Sequence, residues 1–161
     1  GDSVTIIECR SSSNWHEGSD YVKQVADQED FCNQWKRDVY RFCRSFLGDE
    51  KAAEDASYET LVSLSWQVLG LGASSTRPLI IRRALEICMR HARRDVLSHG
   101  GKSRLDTSVL RLPATERAVL VMRNLLRMDW DQTAVAMGVS EEKAHKVWVR
   151  GVIRLNEFLH K

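Results

Sequence analysis

Three features of the chain predict an all-α fold. Apolar residues recur at three- and four-residue steps over most of its length. Helix stops and starts punctuate those stretches at Gly48-Asp49, Pro78, Pro113 and Gly138-Val139-Ser140. No stretch alternates apolar and polar residues for long enough to argue a strand, and Ile6 and Ile7 are too few to make one. With 161 residues, the chain can bury one modest core or two small ones. The expected architecture is two small helical domains, a bundle at 21–97 and a helix-turn-helix unit at 107–161. A short linker at 98–106 joins them, and a flexible lead-in at 1–20 precedes them.

The helical pattern begins at Tyr21. Phe31, Trp35, Val39, Phe42, Cys43 and Phe46 make one apolar stripe, and Gly48 follows Leu47 as a stop. Asp49 can start the next helix, which runs through Ala52, Ala53, Ala56, Leu61, Leu64 and Trp66. Its outer side is acidic, with Glu50, Glu54, Asp55 and Glu59. Leu69 to Thr76 reads as a flexible break rich in small residues. Pro78 then suits the first turn of a third helix ending near Leu97. Ile81, Ala84, Leu85, Cys88 and Ala92 form its apolar stripe. Arg82, Arg83, Arg90, Arg93 and Arg94 lie on its other side. Gly100-Gly101 marks the linker as a flexible tether.

In the second unit Pro113 opens a helix whose buried face is Val119, Leu120, Met122 and Leu126. Asp129 can cap the next helix, with Gln132 three residues on in a capping-box arrangement. Gly138 can take the left-handed conformation of a tight turn, and Ser140 is a good N-cap for the last helix. Ala134 is small enough to let the two helices approach. Met137, Val139, Ala144 and Val147 fall where steeply crossing helices bury apolar groups. Lys143, His145, Lys146, Arg150 and Arg154 lie along that last helix. A cationic helix presented after a tight turn can enter a major groove, with phosphates supplying most of the affinity.

Net charge is only +2, yet it is unevenly placed. Acids outnumber bases before residue 60, and bases dominate from Arg77 to Arg104. The basic stretch is a candidate nucleic-acid surface and the acidic front suggests a different partner. Cys9, Cys32, Cys43 and Cys88 form no C-x-x-C pair and read as reduced thiols in a cytoplasm, mostly core fillers. A metal site joining them to His91 or His16 is the less favoured reading. No apolar run is long enough to span a bilayer, and no signal-peptide pattern opens the sequence, so membrane insertion is not expected. Paired catalytic carboxylates, a nucleophile with a base and a Gly-rich phosphate loop are all missing, so neither enzymatic activity nor a cofactor is expected.

From about Asp20 to Phe158 the chain resembles the extracytoplasmic-function sigma factors of the sigma-70 family, small bacterial initiation factors with a region 2 and a region 4 domain. Phe31, Trp35, Val39 and Tyr40 resemble the aromatic spacing that opens region 2. Phe46-Leu47-Gly48-Asp49, then Ala53-Glu54-Asp55-Ala56, then Trp66 resemble the "L-G-D … A-E-D-A … L-W" signature, the most specific match. Arg77 through Arg94 stands where the family has its promoter-melting helix. Leu112-Pro113 with Glu116-Arg117 resembles the "L-P-x-x-x-R" opening of region 4.

This resemblance implies roles for particular residues. Glu54, Asp55 and Glu59 would dock on core RNA polymerase. Arg77, Arg82, Arg83, Arg90, Arg93 and Arg94 would bind the −10 element, with the loop from Gly70 to Arg77 holding a flipped base. Lys143, His145, Lys146, Arg150 and Arg154 would bind the −35 element. An anti-sigma protein is a further implied partner. The chain departs from the family where Leu79 replaces a Trp, Glu86 an Asn, Lys143 a Thr and Val147 an Arg. Val147 cannot hydrogen-bond, which leaves it a thymine methyl or helix packing. The competing reading is a sigma-like decoy that binds an anti-sigma protein without reading DNA.

Overall fold

The computed structural model describes residues 15–64, 73–94 and 104–160, and every element assigned among them is helical. Helix α1 (Trp15–Leu47) is followed by α2 (Glu50–Leu64) and α3 (Ala73–Arg94). After these come α4 (Arg104–Leu110), α5 (Ala114–Leu120) with a π-helical turn at Val121–Leu125, α6 (Trp130–Met137) and α7 (Glu141–Leu159).

The first three helices form where the apolar periodicity places them. Phe31, Trp35, Val39, Phe42, Cys43 and Phe46 are all buried along one side of α1. Gly48 ends α1 at φ +75°, a left-handed conformation that only glycine adopts without strain. Its N–H donates to the Arg44 carbonyl at 2.9 Å. One residue later Asp49 accepts from the Ala52 N–H at 2.8 Å and starts α2. Ala52, Ala53 and Ala56 keep α2 close to α1, and the buried Ser57 and Thr60 hydroxyls donate to carbonyls of α2 itself. Ile80, Ile81, Ala84, Ile87 and Cys88 of α3 complete this side of the core. The Cys88 thiol is held well above the ordinary thiol range by its hydrogen bond with Cys43 and by burial, so it stays protonated, as a core filler does.

Several sequence-based boundaries shift. Helix α1 starts at Trp15, so the lead-in at 1–20 ends in helix; residues 1–14 lie outside the described residues. Helix α3 starts at Ala73, which puts Pro78 in its second turn and turns the 73–77 part of the expected base-holding loop into helix. Trp66 and Gly70 lie outside the described residues. Helix α4 begins at Arg104 and takes the end of the expected linker; residues 95–103 lie outside. The π turn has no sequence precursor in the periodicity, because Val119, Leu120, Met122 and Leu126 are buried as an α-helical reading also predicts.

The two halves do not keep separate cores. Ala118, Val121, Met122, Leu126, Met128 and Ala136 belong to the same buried cluster as Phe31 through Cys88. Helix α3 packs against α6, and α1 against the π turn. Arginines stitch this seam by capping helix ends across it. Arg117 of α5 donates to the Phe46 carbonyl near the end of α1 (3.0 Å) and also to Leu110 O and Leu112 O (2.8 and 2.9 Å). In the other direction Arg41 of α1 donates to Leu125 O at 3.3 Å, and Arg77 of α3 to Leu126 O. The carbonyls at a helix C-terminus lack intrahelical donors and carry partial negative charge, so a guanidinium satisfies both needs there. The arginine of the "L-P-x-x-x-R" segment is thus an anchor, and burial pulls its pKa below the usual arginine value.

Candidate nucleic-acid interface

The turn before α7 is built as its residues require. Asp129 Oδ1 accepts from the Gln132 N–H at 2.7 Å and opens α6. Gly138 sits at φ +67°. Its N–H donates to Val135 O, and the Val139 N–H donates to Ala134 O, the paired bonds of a Schellman stop. Ser140 Oγ then accepts from the Lys143 N–H at 3.2 Å and opens α7. Ala144, Val147 and Gly151 form the buried line of α7. A Cβ on Gly151 would stand 3.3 Å from Glu116 Cβ and Leu120 Cδ1, so the glycine lets α7 lie close on α5.

An aromatic cluster braces the same turn. The Trp130 ring lies 4.9 Å from His145 and 5.8 Å from Trp148, centroid to centroid. Trp148 Nε1 donates to Asn124 Oδ1 at 3.0 Å, and the Arg123 guanidinium stacks over Trp130 at 4.1 Å. No sequence feature singled out these tryptophans as a group, because Asn124, Trp130 and Trp148 meet only in three dimensions.

The predicted cations of α7 divide into two sets. Lys143 and Arg150 are exposed and have no ion partner among the described residues. Lys146 is exposed and makes a surface pair with Glu142 at 3.1 Å. These three lie on one side of the helix, and with Ser140, Glu142, His145 and Val149 they line a shallow concavity. His145 remains exposed although its ring joins the aromatic cluster. Arg154 belongs elsewhere. Its guanidinium meets Glu116 at 3.0 and 3.5 Å, and Glu116 is buried. That arginine ties α7 to α5. Val147 is buried, so packing and not base contact is its use.

The predicted −10 arginines are mostly engaged within the protein. Arg77 is half-buried, pairs with Asp38 at 3.1 Å and caps Leu126 O. Arg83 meets Glu86 at 3.0 Å and Ser63 Oγ at 3.3 Å. Arg82 lies 3.9 Å from Glu86, and its guanidinium stands 3.5 Å from where a Cβ on Gly138 would be. Arg90 pairs with Glu59 at 2.7 Å. Arg93 and Arg94 close α3, and their side chains lie outside the described residues.

Among the predicted polymerase-docking acids, Glu54 and Asp55 are exposed on α2, with Asp55 paired to Lys51 at 3.0 Å. Glu59 faces α3 and takes both Arg90 and His91, the latter at 3.4 Å. Burial alone would raise the Glu59 carboxyl, but the hydrogen bonds and charges of Arg90 and His91 hold it below the usual glutamate range. Among the described residues no group of three acids, histidines or cysteines could hold a metal ion, and no helix is long and apolar enough to cross a membrane. No family model matches the chain, and no curated protein matches its sequence.

Proposed function

We propose that this chain is a bacterial sigma factor of the extracytoplasmic-function type. It acts in the cytoplasm, brings core RNA polymerase to promoters and recognises their −10 and −35 elements. One observation carries the reading: α7 follows a doubly capped, glycine-hinged turn and holds Lys143, Lys146 and Arg150 outward on one exposed side. That is the geometry by which a helix enters a major groove, bases at its first turns and phosphates beside it. The order of the sequence segments adds support, since the "L-G-D … A-E-D-A" segment precedes the basic helix and the helix-turn-helix follows. In this reading the chain does no chemistry itself and needs no cofactor. Glu54 and Asp55 offer the docking charge for polymerase, and an anti-sigma protein is the natural antagonist. On α3, Arg82, Arg83 and Arg90 exchange Glu86 and Glu59 for phosphates when promoter DNA arrives.

A second reading has its own observation. The two halves share one core, and Arg77 and Arg117 hold them together, an arrangement suited to a sigma-like module that binds an anti-sigma protein without opening on DNA. Run-off transcription with core polymerase on a randomised promoter library separates the two. Enrichment of a two-element promoter supports the sigma factor. Stable core or anti-sigma binding with no promoter enriched overturns it in favour of the decoy.

A further inference from the structure

We infer that Val149, not Val147, is the apolar base-reading residue of α7, and that the preferred duplex carries a thymine whose C5-methyl packs against it. The inference rests on the DNA-binding reading above and names what that surface selects. At 3.6 residues per turn, the buried line of Ala144, Val147 and Gly151 defines the direction facing the protein. Val149 points nearly opposite to that line, at the middle of the outward side. It is 36 % exposed and is the one apolar side chain lining the concavity formed with Ser140, Glu142, Lys143, His145, Lys146 and Arg150.

Its surroundings favour a base edge over the helix of another protein. Lys143, Lys146 and Arg150 flank it on one side, His145 stands on the other, and Val152 and Ile153 follow it about one turn on, also exposed. Such a surface attracts phosphates around an apolar centre. Val149 lies eight residues beyond Glu141, just over two turns into α7 and so still within the part of the helix that meets base edges. In that groove the only apolar feature a base pair presents is the thymine methyl. A valine among cations therefore discriminates thymine from cytosine by contact, while the cations hold the backbone without regard to sequence.

The test uses the full chain at low salt. A randomised duplex library is selected first, and the best duplex is then compared with the same duplex carrying deoxyuridine at each thymine in turn. Removal of one methyl at one position should weaken binding about fourfold, the factor expected for burying one methyl-sized group. Val149→Ala should bind both duplexes equally, while Val149→Ile should keep the preference. Circular dichroism of both variants checks that α7 persists. Equal binding of thymine and deoxyuridine duplexes by the unaltered chain overturns the inference but leaves DNA binding standing. So does methyl discrimination that survives Val149→Ala. If Val149→Ala instead converts a dimer to a monomer in sedimentation, the face joins two copies and the inference is wrong. Failure to select any duplex removes the DNA-binding reading itself, and this inference with it.

Discussion

Along α3, Arg77, Arg83 and Arg90 turn back onto the protein, to Asp38, the Leu126 carbonyl, Glu86 and Glu59, whereas along α7 Lys143 and Arg150 face outward without an ion partner among the described residues. Both helices read as basic in sequence. The difference lies in what stands opposite each cation. Helix α3 packs against α1 and α2, which supply Asp38 and Glu59, it carries Glu86 itself, and the Leu126 carbonyl lies within reach of Arg77. Helix α7 packs on α4, α5 and α6 and leaves the side opposite its buried line open. A cation on a packed helix is used by the fold, and a cation on an open side is available to a ligand.

The strongest way to sharpen this contrast is at the most deeply engaged cation. Arg117→Met leaves three carbonyls without their donor and removes a guanidinium stacked 4.9 Å from the Phe46 ring. Urea unfolding should show a loss on the order of 3 kcal/mol or more, since hydrogen bonds to a charged group contribute about 1.5–3 kcal/mol. A loss under about 0.5 kcal/mol would remove Arg117 as the anchor of the seam.

Next comes a direct exchange between the helices. Arg77→Ala should cost about 2 kcal/mol of stability, because it strands both Asp38 and the Leu126 carbonyl. Lys143→Ala should stay within about 0.5 kcal/mol, as surface changes do. Duplex binding should rank them the other way, with Lys143→Ala the weaker binder of the two folded variants. The same ranking in both assays would break the contrast.

Within α7 the contrast can be drawn between neighbours. Arg150→Ala should weaken binding alike on all duplexes and lower the salt slope by roughly 1, as loss of one phosphate contact does. Arg154→Ala should leave the slope unchanged and reduce the melting temperature instead, since it abandons the buried Glu116 carboxylate. Titrations of both variants against ionic strength decide between them.

The smallest effect concerns Glu59. Its carboxyl has a depressed pKa in the folded chain, so its contribution is fully present above the unfolded value and is lost as pH falls through the folded one. Stability should therefore decline as pH drops below the ordinary glutamate value of 4.5. Glu59→Gln should flatten that part of the curve slightly, because the pair is largely exposed and solvent screens it. An identical pH profile in both chains would show that Arg90 and His91 give Glu59 no preference for its charged form.

Much of the local structure was legible. The stripe from Phe31 to Phe46 is an i, i+3, i+4 pattern, and that pattern alone commits one side of α1 to burial. Asp49, Asp129 and Ser140 cap helices because a short side-chain oxygen can reach an unpaired N–H two or three residues on, a purely local geometry. Gly48 and Gly138 take left-handed turns for an equally local reason. How the two halves meet was not legible in the same way. Gly100-Gly101 and a change of pattern suggest independent units, but nothing local reveals that Val121, Met122 and Met128 complete the core begun by Phe31.

What the sequence by itself determined is therefore the helices, their caps and the line each helix buries, all consequences of backbone sterics and periodicity over a few residues. Only the tertiary structure decided which charges remain free. Arg77, Arg154 and Glu59 look like Lys143, Arg150 and Glu54 along the chain. Their fates differ because Asp38 and Glu116 lie 39 and 38 residues away in sequence from Arg77 and Arg154, and Arg90 lies 31 residues from Glu59. A charge is neutralised by what lies within a few ångströms of it, and over such separations that proximity is a property of packing.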